Sequence, residues 1–454
     1  MNDTGLDQMI AQAILGLDTL WGGDVMSPSG TRRFIADSWF SGAGLPQAYT
    51  HPAAARVRAS EGLSAQEPDR ELIDAYLADV DVAGAVAAVR ELAGGQPPTR
   101  RAFLEGLGQC LQVMWDLGME RLDRGEPVPY ERSVMASTAA APTPSEPTAR
   151  RQRLAQLLAE AGYASGSEDE LLEAVDAWRH QRLVPQAAIP GLARAFIAEL
   201  EEGTRRAVLP YLPAELQEVP RSNVQFLPIE DAWFSGSMNY VGRARGPDGR
   251  PEYEATYEIN ASLEISIPEF QQLVSHEVVP GHVTTFAFVQ HLYVLGRVGF
   301  EGTVLTMNTR YSTLAEGIAN NAILMAHGVT EVEDLPDRDL QIGTLLALLQ
   351  DDAKNQASYL TWKEGLEQPD VARLLRRDFV VSEERAQKLS GPWARHPLLG
   401  RMYLPAYRAG TEKVAGLRRK YPAEAVLPAL FGCRGLVDVA TIDRVLGAVG
   451  DGNP

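Results

Sequence analysis

The sequence predicts a mainly α-helical protein with a small sheet in its second half. Amphipathic runs at helical spacing cover most of the chain, whereas strand-like texture is confined to residues 223–260. The 454 residues are 45% hydrophobic and 22% charged, the balance of a folded chain that can bury a large core unaided.

Glu71–Val80 and Val82–Leu92 read as short helices. Thr99–Leu122 reads as a longer one, opened by Pro97-Pro98 and closed by Arg124-Gly125. Residues 136–149, rich in Ala, Thr, Ser and Pro, read as a linker between a helical lobe (1–135) and a second region (150–454). Helices resume over Arg150–Arg206. Strands are expected at Asn223–Pro228, Met238–Arg243 and Glu252–Asn260, and Asp248-Gly249 is a hairpin turn signal between the last two, so the sheet is expected to be antiparallel. From Ile267 the pattern is helical nearly to the end. Asp37-Ser-Trp-Phe-Ser-Gly42 and Asp231-Ala-Trp-Phe-Ser-Gly236 echo each other, but nothing around them repeats, which points to chance or similar turns. Cys110, in an apolar helical run, is expected in the core.

With 42 Lys+Arg against 60 Asp+Glu the chain carries a net charge of −18, which disfavours nucleic acid and anionic membranes as partners. Two cysteines, Cys110 and Cys433, make no disulfide framework. The acidic start lacks the apolar core of a signal peptide and no stretch is long enough to span a bilayer, so a reducing cytoplasm is the expected compartment. No phosphate-binding glycine loop is present, which disfavours nucleotide and flavin chemistry.

The chemistry concentrates in His276-Glu-Val-Val-Pro-Gly-His282. Ser266, with Glu269 three residues on, marks a helix start. At ~100° per residue Phe270, Leu273, Val274 and Glu277 share one stripe, which places a carboxylate on the face to be buried. An acid there needs a cation, a proton or a task. His-Glu opening such a run matches the zinc-helix pattern His-Glu-x-x-His, in which the histidines bind metal and the Glu is a general base. Here the second histidine comes two residues late, about 120° off the face of a straight helix. Pro280-Gly281 can kink the helix, and two residues absorbed there would restore the phase of i+4. A third ligand is offered by Glu316 in the helical stretch Thr303–His327, among Thr309, Ser312, Thr313, Ala319 and Asn320. Gly317 beside it predicts close approach of another element. His291 and His327 read as structural.

Those residues, with Ala315-Glu316-Gly-Ile-Ala and Tyr407-Arg408-Ala-Gly410, carry a resemblance. The segment from about Gln225 to Lys420 resembles a large bacterial family filed as a domain of unknown function, which has His-Glu-x-x-Pro-Gly-His, Glu-Gly-Trp-Ala and Tyr-Lys-x-Gly motifs. The resemblance implies a zincin-like fold, with helical lobes around a cleft and the sheet beside the metal helix. It implies one zinc ion per chain held by His276, His282 and Glu316, with Glu277 as general base and Tyr407 stabilising the oxyanion. Arg408 and Tyr403 would bind substrate, as would Asn239 and Tyr240, and the strand Tyr253–Asn260 could pair its edge with an extended peptide. Manganese or iron would accept the same ligands. The chain departs from the family pattern after His282 (Val-Thr-Thr) and after Glu316 (Gly-Ile-Ala-Asn-Asn), so the substrate is left open. A metallopeptidase acting on peptides or small amides is the leading expectation. An amidase or esterase on a non-peptide substrate, or a helical binding protein with a decayed site, are the alternatives.

Overall fold

The computed structural model describes residues 4–229, 236–260 and 264–450; the second copy of the internal echo lies outside them except for Gly236. The chain is mainly helical, with two small sheets among the described residues. The expected helices of the first half form at Arg70–Asp79, Val82–Ala93 and Pro98–Arg121, and those after the linker at Thr148–Glu160, Glu168–Gln181 and Ile189–Ala207. None of the described helices is long and apolar enough to cross a membrane.

The strands are β1 (Ala36–Trp39), β2 (Val224–Ile229), β3 (Gly236–Tyr240), β4 (Ala255–Asn260) and β5 (Val304–Thr306). The Asp248-Gly249 turn joins β3 to β4 antiparallel, as its chemistry demands. The sheet is nevertheless mixed rather than antiparallel, because β2 lies parallel to β4 in the order β2-β4-β3. This corrects a second expectation. The strand offered for edge pairing, Tyr253–Asn260, is the central one, with both of its edges occupied; β3 is an edge strand. A third correction concerns Thr303–His327, which begins with β5, paired antiparallel to β1, and turns helical only at Arg310.

Three contacts lay the N-terminal segment on the larger sheet. The Ser38 hydroxyl donates to the carbonyl of Tyr240 at 2.7 Å. Glu258 of β4 accepts from the Ser29 hydroxyl and the Gly30 amide. Residues 27–40, from the expected first lobe, thus lie against the sheet of the second.

One apolar core runs through the molecule from Leu6 to Leu446, with Trp21, Trp178 and Tyr257 among its largest members. The stretch 136–149 begins within the helix Tyr130–Thr138 and then runs extended along the long helix Arg338–Trp362. There the Ser145 hydroxyl donates to the carbonyl of Asp352, and Asn355 donates to the carbonyl of Thr143. Cys110 is buried, as expected, and burial pushes its thiol up to about 12.

Candidate metal centre

The histidine motif builds two helices rather than one. The motif helix, Ile267–Glu277, starts where Ser266 accepts from the Glu269 amide. The Glu269 carboxylate accepts from the Ser266 hydroxyl and pairs with Arg179. A second helix, His282–Val294, follows directly. Between them the Gly281 amide donates to the Ser275 carbonyl and the Thr284 amide to the Val278 carbonyl, each reaching back six positions instead of four. The turn is widened by two residues, the insertion needed to bring His282 back into phase with His276. Only glycine fits at 281, since a Cβ there would lie 1.8 Å from the His276 carbonyl oxygen. Carbonyls of the widened turn also accept from the hydroxyls of Thr284 and Thr285, residues at which the chain departs from the family pattern.

Glu316 arrives on the helix Arg310–Asn320, crossed closely by the helix Leu404–Lys420. Together the three elements bring one ligand atom each from His276, His282 and Glu316 within 4.8 Å of one another. His276 Nε2 lies 3.5 Å from Glu316 Oε2, and His282 Nε2 lies 3.8 Å from Oε1. Both separations are too long for good hydrogen bonds. They are close to the roughly 3.4 Å between neighbouring ligands of a tetrahedral zinc at its usual ~2.0–2.1 Å bond lengths. Glu316 Oε2 is buried without a hydrogen bond among the described residues, an unmet acceptor that a cation would satisfy.

A chain of hydrogen bonds sets the tautomer of His276. Thr411 donates its hydroxyl to the Tyr407 carbonyl and so can only accept from Asn320 Nδ2 at 2.8 Å. The Asn320 oxygen therefore faces His276 and takes the Nδ1 proton at 2.7 Å, leaving the Nε2 lone pair aimed at Glu316. Burial, with His282 beside it, pushes His276 down to about 3, so this imidazole is neutral. Burial also opposes charge on His282, but Glu316, Glu277 and Asp37 outweigh it and raise that ring. Burial alone would raise the Glu316 carboxyl, yet the two histidines hold it at about 2. His282 is oriented by stacking on Phe286, with ring centroids 5.7 Å apart.

Glu277 lies in the same cavity, of about 130 Å³, and burial pushes its carboxyl up to about 7. Tyr403 and Tyr407 line that cavity from the crossing helix and its cap. Tyr403, expected to touch substrate, instead donates its hydroxyl to Glu316 Oε1 at 2.7 Å. Arg408 is not brought to the site, because one step along the helix turns it away to the carbonyl of Pro144 and to Asp352. Asn239 is buried behind Gly30, outside the cavity lining. Tyr240 spends its hydroxyl on Gln290 and packs behind Phe286, in a structural role. His291 bonds Tyr253, and neither it nor His327 belongs to the ligand group.

Three cavity neighbours escaped the sequence reading. Arg33 and Asp37 enter from the N-terminal segment, where Asp37 opens the first copy of the internal echo but nothing in the sequence ties either residue to the histidine motif. Lys354 of the long helix is 7% exposed, pairs with Asp351 at 2.9 Å and sits 3.3 Å from the centre of the Tyr407 ring. Its signal was present in Asp351-Asp-Ala-Lys-Asn355, a polar run in the middle of a helix whose residues are buried.

No model of a known protein family matches the chain, and no curated protein matches it in sequence. Among solved structures, it resembles a candidate lipoprotein from Colwellia psychrerythraea with a TM-score of 0.52 at 14% identity, over 81% of this chain and 67% of that one. A candidate lipoprotein of unknown function from Shewanella oneidensis aligns with a TM-score of 0.49 at 14% identity, over 89% of this chain and 79% of the other. The first of these likenesses is one of fold.

Proposed function

We propose that the chain is a metal-dependent hydrolase of peptide or peptide-like amide bonds, a relative of the His-Glu-x-x-Pro-Gly-His zincin-like family, with zinc as its ion. The convergence of His276, His282 and Glu316 on one cavity beside the buried carboxylate of Glu277 carries this reading. Two imidazoles and one carboxylate leave a coordination position free, and a zinc ion held there supplies Lewis acidity to water and to a carbonyl.

The side chains then have separable tasks. Asn320 presents the Nε2 lone pair of His276, and Tyr403 holds the Glu316 carboxylate. A Glu277 oxygen accepts a proton from water as its oxygen adds to the amide carbon, and returns the proton to the departing amine as the carbon–nitrogen bond breaks. Burial brings Glu277 near the basicity such a shuttle needs. The Tyr407 hydroxyl donates to the oxyanion that forms on the carbonyl oxygen.

Metal analysis of the purified protein beside His276→Ala and His282→Ala, with peptide cleavage measured for Glu277→Gln, tests the proposal. The expected result is near-stoichiometric zinc lost from both histidine variants, while Glu277→Gln keeps its zinc and loses about 10²–10⁴-fold in turnover. Absence of bound metal after zinc addition, or full turnover by Glu277→Gln, overturns it.

A further inference from the structure

The segment 27–40 carries a second charged feature into the cavity. Ala36 pairs with Thr306 and Ser38 with Leu305 across the β1–β5 ladder, so Asp37 is the extra residue of a β-bulge. A bulge leaves its inserted residue out of the ladder and re-aims its side chain. Ala36 and Ser38 are buried in the protein, whereas Asp37 is half-buried and lines the cavity shared by His276, Glu277, His282 and Glu316.

Arg33 fixes this shape. Its guanidinium donates to the backbone carbonyl of Asp37 and, through Nη2, to that of Ser27 at 3.1 Å. The arginine thus clamps the backbone of the bulge. The Asp37 carboxylate itself has no hydrogen bond or salt bridge among the described residues. Burial and the neighbouring Glu316 disfavour charge on this carboxylate, Arg33 and His282 favour it, and a cation received at its oxygens would offset the burial further. Asp37 is not one of the three residues whose ligand atoms converge.

One wall of the same cavity is close-packed. Gly30 backs onto β3 so tightly that a Cβ would lie 2.4 Å from Ser237 Oγ, and Glu258 pins the Gly30 amide. Both Gly30 and Ser237 line the cavity, so an extended chain cannot run on between them.

We propose that Asp37 receives the α-ammonium group of a short peptide, so that the site acts on substrates with a free amino terminus and cuts near that end. The inference rests on the hydrolase reading above and names its substrate class. The carboxylate accepts N–H bonds from the ammonium, and the bulge and Arg33 hold it in place.

Calorimetric titration of the zinc-loaded protein with leucine hydroxamate and with N-acetyl-leucine hydroxamate tests it without turnover. Wild type is expected to bind the free amine about 10–100-fold more tightly, the worth of a charge-assisted hydrogen bond. Asp37→Asn should abolish the preference, with a thermal midpoint no lower than that of wild type, and Asp37→Glu should restore part of it. Equal affinity for the two ligands in wild type, or a preference that survives in Asp37→Asn, overturns the role of Asp37 and leaves the hydrolase reading standing. An Asp37-dependent preference in a protein that cleaves no peptide supports amine recognition and ends the hydrolase reading. Binding of neither ligand overturns both.

Discussion

Gly317 and Gly410 interlock where the Glu316-bearing helix crosses the helix Leu404–Lys420. A Cβ on Gly317 would lie 2.2 Å from the Gly410 carbonyl oxygen, and one on Gly410 would lie 1.9 Å from the carbonyl oxygen of Thr313. Backbone meets backbone on both sides, so no flexible side chain can yield. The crossing sets how Tyr403 and Tyr407 face Glu316. Gly317→Ala should therefore cost about 2–3 kcal/mol of stability by overpacking and weaken zinc retention at the same time. Gly416, on the same crossing helix with nothing within 4 Å of an added Cβ, is the control. Gly416→Ala should be neutral or stabilising by up to about 1 kcal/mol. Urea denaturation with metal analysis measures both, and equal stability of the two variants would show that the crossing tolerates a methyl group.

Asn320 makes a narrower prediction. Its oxygen fixes the His276 tautomer at 2.7 Å without itself belonging to the ligand group. Asn320→Ala leaves the imidazole free to rotate and to move its proton, and zinc affinity should fall about 10–100-fold. The fold should survive. Competition against a chelator of known affinity reads the change, and an unaltered dissociation constant would show that packing alone holds the ring.

The two tyrosines should separate metal binding from catalysis. Tyr403 donates to a ligand carboxylate, so Tyr403→Phe should loosen zinc by about 10-fold. Tyr407 touches no ligand atom within hydrogen-bond reach and carries the Lys354 ammonium over its ring. Tyr407→Phe should leave zinc affinity alone and lower kcat by about 10²-fold, with KM little changed. The opposite pattern would exchange their roles.

Much of this centre was legible because its determinants are local. The i+6 spacing, the Pro280-Gly281 pair and the carboxylate on the apolar stripe all lie within one short segment, and they foretold a two-residue insertion that the widened turn contains. Gly317 announced a close approach without naming its partner, since Gly410 is distant in sequence. The sheet was harder. Asp248-Gly249 dictates the antiparallel pairing of β3 with β4, but nothing local dictates that β2 runs parallel to β4. Strand β5 was hidden because three residues show no period, and its partner β1 comes from the other end of the chain. The place of Asp37 in the cavity was hidden for the same reason, because it depends on a bulge against β5 that the hexapeptide echo does not reveal. Arg408 misled because adjacency to Tyr407 in sequence places it on another face of the helix.

Acid sensitivity should come in part from His396, a histidine outside the metal centre. His396 stacks on Phe34 with ring centroids 5.5 Å apart, next to the Arg33 clamp, and its Nδ1 accepts from the amides of Leu398 and Leu399. Those bonds require the neutral ring, and Nε2 is buried without a partner among the described residues. Burial, with Arg121 nearby, pushes His396 down from 6.5 to about 4. Between these values the unfolded chain binds the proton more readily than the folded one. The contribution of His396 is therefore complete above about pH 6.5 and is lost as pH falls toward about 4. For this partly shielded ring the loss should be on the order of 2–3 kcal/mol, and it should loosen the segment that carries Asp37. His396→Asn keeps an acceptor for the two amides but cannot titrate, so its stability should change less between about pH 7.5 and about pH 4.5 than that of wild type. Urea midpoints at the two values measure the difference. Parallel losses in both proteins would assign the acid sensitivity to other groups, and a steeper loss in the variant would reverse the sign argued for His396.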